Sequence, residues 1–175
     1  MDGKSDLARV IAGLQKPAHG LVQVGGFDSV LAASGRGSRL VGYAGEREVF
    51  CGTLRENVDL GRAGISQSRI REVLGEVGLS ETILRLPDAL QTQLQTGGYP
   101  LTASQVTQLV IARAIVTEPK AVIINGLLDE LTPQVRNKIW ECLKSVDAPW
   151  TLVVCTNRED IASLCDSQIS IRSIR

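Results

Sequence analysis

Aromatic side chains are scarce, two each of Phe, Tyr and Trp in 175 residues, and neither sign of charge is in excess, with 19 Lys plus Arg against 19 Asp plus Glu. Without a basic field to displace counterions or rings to stack on bases, the composition argues against a nucleic acid partner. His19 is the single histidine, and Cys51, Cys142, Cys155 and Cys165 form no C-x-x-C pair. That pattern argues against a zinc site and for reduced thiols packed as small hydrophobes. No run approaches the roughly 20 apolar residues needed to span a bilayer, and the N-terminus lacks the apolar core of a signal peptide. Membrane association is therefore expected only through a partner.

What the chain does have is enough apolar residues, 43% of the total, to bury the core of a single domain. Short β-branched runs at 20–26, 39–45, 120–126, 151–157 and 167–173 alternate with helical periodicities. Runs that are apolar throughout, such as Ala121 to Ile124 and Leu152 to Cys155, suit strands covered on both faces of a parallel sheet. The expected class is α/β.

Between Cys51 and Val116 strand signals give way to helical ones, so a helical subdomain is expected over about 52–116. Within it Ser66 or Ser68 can cap a helix whose apolar face is Ile70, Val73, Leu74 and Val77. Thr132 and Pro133 begin a further helix with Val135, Ile139 and Leu143 along one side. The stretch 32–38, "AASGRGS", reads as a flexible loop.

The chain opens on Gly3-Lys4-Ser5 followed by a helical pattern with apolar Leu7, Val10, Ile11 and Leu14. These three residues match the end of G-x-x-x-x-G-K-S/T, a loop whose backbone N–H groups wrap phosphates, whose lysine reaches the β- and γ-phosphates and whose hydroxyl ligates magnesium. The first glycine and the strand that launches such a loop are not in the sequence.

Taken together, successive segments resemble the ATP-binding cassette family, in its exporter branch. "GKSDLARVIAGLQKPAHGLVQVGG" (3–26) is similar to the Walker A helix and the strand after it, and "VGYAGEREVFCGTLRENVDLG" (41–61) to the Q-loop region. "ILRLPDALQTQL" (83–94) looks like the exporters' LPDGYDT segment, and "LTASQVTQLVIARAI" (101–115) aligns without gaps to the signature helix. "AVIINGLLDEL" (121–131) takes the place of the Walker B strand, and "TLVVCTNRED" (151–160) that of the strand before the switch histidine. The resemblance covers the whole chain. It implies a P-loop NTPase-like, mostly parallel sheet flanked by helices, a single ABC-type nucleotide-binding domain over 1–175 that begins inside Walker A and lacks the first strands.

The resemblance also implies a site. Gly3, Lys4 and Ser5 would bind nucleotide, with Ser5 and Glu46, at the Q-loop glutamine position, as magnesium ligands. Thr102, Ala103, Ser104 and Gln105 fall on the signature positions that meet the γ-phosphate of an opposing subunit, where Ala103 and Ser104 add Cβ atoms in place of glycine. Asn125 stands for the Walker B aspartate, Gly126 for the catalytic glutamate and Asn157 for the switch histidine. Asparagine is a poorer partner for a hard dication, glycine cannot polarise water, and Asn157 gains no proton near neutral pH. Asp129 or Glu130 would be the substitute base, given reach, and Asp6 places a carboxylate in the first turn of the opening helix.

The implied function is coupling of ATP binding and hydrolysis, with magnesium, to export through a transmembrane domain and a second nucleotide-binding domain, at the cytoplasmic face of the membrane. Altered chemical positions beside intact packing positions imply that hydrolysis is impaired. The alternatives are a catalytically silent structural or regulatory cassette, and a remnant without independent activity.

Overall fold

A computed structural model describes residues 3–30 and 40–171. These divide into two compact units, one formed by the described residues within Met1–Gly45, Glu118–Asp129 and Pro149–Arg175, the other by Glu46–Thr117 and Glu130–Ala148. The stretch 32–38 lies outside the described residues.

The first unit is built on a parallel three-stranded sheet of order β3(Val41–Ala44), β6(Ala121–Asn125), β7(Thr151–Cys155). Central β6 buries its first four residues, as its unbroken apolar run demands. Helix α1(Gly3–Ile11) lies on one face, where Ala8 and Ala12 meet Ile123, flanked by Val41, Tyr43 and Val153. Small alanines let the helix backbone approach the sheet. The expected apolar stripe is corrected here, because Leu7 and Leu14 are 42% and 61% exposed while Ala8 and Ala12 make the buried contact.

Two expected strands differ. The run at 20–26 supplies only β1(Gln23–Val24), which pairs antiparallel with β2(Phe27–Asp28) as a hairpin through Gly25 and Gly26 and does not join the parallel sheet. Residues 167–171 form no strand, and 172–173 lie outside the described residues. A brief apolar run carries no information about its partner, so periodicity could not separate hairpin, sheet and coil.

The second unit holds α2(Leu54–Asp59), α3(Gln67–Glu76), α4(Ser80–Arg85), α5(Ala103–Ile115) and α6(Pro133–Leu143). Ser66 caps α3 by accepting from the Arg69 N–H, and Ile70, Val73, Leu74 and Val77 are fully buried. Pro133 occupies the first turn of α6, but Thr132 makes no side-chain cap bond. Within the expected helical stretch, β4(Gly52–Thr53) pairs antiparallel with β5(Gln93–Leu94). Two-residue strands are too short to leave a period-two pattern, which is why the sequence reads as helical throughout. Thr53 and Glu56 form a capping box on α2, and the Thr53 N–H bond holds the Glu56 carboxyl below its ordinary range.

The cysteines also differ from expectation. All four are free thiols, but Cys51 is exposed and the others are only half-buried.

Candidate functional site

In the first unit the C-terminal ends of β6 and β7 meet the N-terminus of α1 around a cavity of about 180 Å³. Strand alternation dictates this. Asn125 is paired with Cys155, in step with Ile123 and Val153 on the face that α1 covers, so the ends of both strands open beside Lys4 and Ser5. The N–H groups and dipole of the helix start favour a negative ligand there.

Lys4 Nζ donates to Asn157 Oδ1 and, at 3.3 Å, to the Thr156 carbonyl. Ser5 Oγ donates to Asn125 Oδ1 at 3.4 Å, and Asn125 Nδ2 donates to the Tyr43 hydroxyl at 3.3 Å. The Asp129 carboxylate accepts from the Thr156 hydroxyl at 2.5 Å and from the Asn157 N–H at 3.1 Å. The lysine and Asn157 thus belong to one hydrogen-bonded set and the Ser5 hydroxyl and Asn125 to another, and both sets line the same cavity.

Gly126 lies in the left-handed region at φ +73° and donates its N–H to the Cys155 carbonyl at 2.9 Å. Space for a side chain exists, since an added Cβ meets nothing within 4 Å, but the backbone conformation is one that L-residues seldom adopt. Glycine here is a conformational choice, at the position where the family resemblance places a carboxylate.

The cavity brings together Lys4, Ser5, Asn125, Gly126 and Asn157, with Gly3 heading α1 and Asp6 in its first turn. Asp129 lines it too, while Glu130 belongs to the second unit and pairs with Arg47 at 2.9 Å. Tyr43 and Thr156 were not singled out from sequence, although their hydrogen bonds orient Asn125 and Asp129. Odd-numbered alternation along β3, placing Tyr43 with Val41 on the helix side, was the available signal for the first.

In the second unit Glu46 is exposed at the start of the chain segment. Thr102 is the N-cap of α5 in a capping box, its hydroxyl accepting from the Gln105 N–H at 3.4 Å and its N–H donating to Gln105 Oε1 at 2.8 Å. Gln105 Nε2 also donates to Thr82 Oγ1 at 2.9 Å. Ala103 is exposed, and Ser104 Oγ is buried with no hydrogen-bond partner among the described residues. The first turn of α5 is therefore largely capped by its own side chains.

Further along α5, Arg113 donates to the Asn57 carbonyl at 2.6 Å, the Glu48 carbonyl at 2.9 Å and Asn57 Oδ1 at 3.3 Å. Burial lowers the Arg113 pKa from its ordinary value. Asn57 in turn bonds both the N–H and the carbonyl of Phe50, at 3.1 and 3.0 Å. This guanidinium ties the segment 48–50 to α2 and α5.

The donor set at the cavity suits a polyphosphate but not magnesium. A small hard dication favours carboxylate oxygens. Asp129 is the sole carboxylate lining the cavity among the described residues, and both its oxygens are engaged at the end of β7.

A parallel sheet whose strand ends face a helix opening on Gly-Lys-Ser has the architecture of the P-loop nucleotide-binding class. The ABC transporter family profile matches residues 2–132. The chain belongs to the ABC transporter family. It is 28% identical over 165 residues to a "Multidrug efflux ATP-binding/permease protein" of Mycobacterium bovis, covering 94% of this chain and 14% of that protein. It is 28% identical over 160 residues to an "Uncharacterized ABC transporter ATP-binding protein YwjA" of Bacillus subtilis, covering 89% of this chain and 27% of that one. A solved structure titled "Structure of a bacterial Atm1-family ABC exporter with ATP bound" superposes at a TM-score of 0.77 and 22% identity, covering 94% of this chain and 29% of that one. The fold is that of an exporter's ATP-binding domain. The chain spans about a seventh to a quarter of the length of these two curated relatives. No helix among the described residues is long and apolar enough to cross a membrane.

Proposed function

We propose that this chain is an ATP-binding cassette of an ABC exporter that holds nucleotide and does not hydrolyse it at a useful rate. The single observation that carries the reading is the cavity lined together by Lys4, Ser5, Asn125 and Asn157, a cation and a hydroxyl each bonded to a neutral amide. Lys4 and Ser5 at the start of α1 would hold the phosphates. No carboxylate stands at Asn125 or Gly126 to polarise water, and no imidazole at Asn157. Loss of a well-placed general base alone costs about 10²–10⁴-fold in rate.

Its partners in this reading are a transmembrane domain and a second ATP-binding domain at the cytoplasmic face of a membrane. Thr102 to Gln105 are the residues it would offer to the nucleotide of that second domain. The capping box engages the Thr102 hydroxyl as an acceptor and leaves its hydrogen able to donate.

Phosphate release from ATP and magnesium, compared between the wild-type chain and Lys4→Ala, tests the catalytic part. Both should sit at background. A wild-type rate that Lys4→Ala removes would sink it. Equilibrium binding of labelled ATP tests the nucleotide part, with Lys4→Ala expected to lose it.

A further inference from the structure

The site differs from a metal-nucleotide site in the kind of oxygens it offers. Ser5 Oγ and Asn125 Oδ1 are neutral and already bonded to each other at 3.4 Å. The Tyr43 hydroxyl receives the Asn125 amide hydrogen at 3.3 Å, which turns Oδ1 towards Ser5 and leaves the amide a definite orientation. The ammonium of Lys4 lines the same cavity and repels a dication, while the Asp129 carboxylate is drawn to Thr156 and Asn157.

We propose that this cavity takes the polyphosphate of a nucleoside triphosphate free of any divalent cation, with Asn125, oriented by Tyr43, as the residue that sets this preference. The inference rests on the nucleotide reading above. Free ATP carries more negative charge than its magnesium complex. A site whose positive charge comes from Lys4 gains from that extra charge, and the one carboxylate lining it among the described residues, Asp129, is already engaged by Thr156 and Asn157.

The experiment is equilibrium binding of labelled ATP to the full chain in EDTA and in excess magnesium, for wild type, Lys4→Ala and Asn125→Asp. Wild type should bind at least as tightly in EDTA as in magnesium, Lys4→Ala should lose binding in both, and Asn125→Asp should become about tenfold tighter with magnesium than without. The melting temperature of the wild-type chain should not rise with magnesium alone. Wild-type binding that tightens tenfold or more with magnesium, whether or not Glu46→Gln removes the gain, overturns the inference and leaves the nucleotide reading standing. Failure to bind in either buffer overturns both. An Asn125→Asp variant that keeps the wild-type melting temperature yet gains no magnesium preference removes Asn125 from the proposal.

Discussion

Lys4, on the first turn of α1, donates its ammonium hydrogen to the side-chain oxygen of Asn157, two residues beyond the end of β7. The one cation in the cavity lining among the described residues is thus held by the position where the family resemblance places the switch histidine. An incoming phosphate has to compete with that amide. Asn157→Ala should remove this one competitor for Lys4, leaving its bond to the Thr156 carbonyl, and tighten ATP binding about three- to tenfold, in line with a charge-assisted bond partly screened by water. Affinity unchanged or weakened would show that Asn157 contacts the nucleotide and does not compete with it.

Placing a glutamate at Gly126, where the family resemblance puts the catalytic glutamate, should not by itself produce hydrolysis. Gly126 has φ +73°, a conformation costing an L-residue about 1–2 kcal/mol. Gly126→Glu is expected to lower stability by that amount in urea titration, with no phosphate release above background. A hydrolysis rate gained by this single change would contradict the assignment of Asn125 and Asn157 as further losses.

The cap of α5 is testable by itself. Thr102→Ala removes the acceptor for the Gln105 N–H and one half of the capping box. It should cost about 1 kcal/mol, and Thr102→Ser should recover most of it.

Arg113 is expected to matter more. Arg113→Met strands the carbonyl of buried Asn57, worth about 1–3 kcal/mol without a partner, and removes the bond to the exposed Glu48 carbonyl, which water can replace. Arg113→Lys should recover only part, because an ammonium cannot reproduce the planar fork that reaches three acceptors. Urea midpoints of the three proteins give the order.

Cys142 supplies the pH dependence. Burial, then the neighbouring Glu76, pushes its thiol from an ordinary 9.0 up to about 12. The unfolded chain releases this proton first, so the contribution to stability is complete below about pH 9 and declines as pH rises towards about 12. The alkaline fall in urea midpoint should be shallower in Cys142→Ala than in wild type. At pH 8 iodoacetamide should modify exposed Cys51 well before Cys142, followed by peptide mass mapping.

Much of the fold was legible because it rests on local chemistry. The continuous apolar run of β6, the Ser66 cap with Ile70, Val73, Leu74 and Val77, and Pro133 at the start of α6 each carry their own signal. What failed to show was whatever depends on a distant partner. The hairpin at Gln23–Asp28, the pairing of β4 with β5, and the choice of Ala8 and Ala12 over Leu7 and Leu14 as the buried face are all decided across the chain. Substitutions at Asn125, Gly126 and Asn157 could be read from sequence, but not that Asp129 turns to Thr156 or that Tyr43 orients Asn125.

By itself the order of residues determined membership of the ABC transporter family, the α/β class, and which chemical groups stand at each motif. Those are properties of residue type and spacing, which a linear chain displays. Tertiary structure alone decided that Lys4 faces Asn157, that Ser5 and Asn125 satisfy each other, and that Gly126 occupies a glycine-favoured conformation. The first two require atoms more than 100 positions apart and the third goes with a backbone bond from Gly126 to Cys155 on a neighbouring strand, and hydrogen bonds form by distance in space, not along the chain.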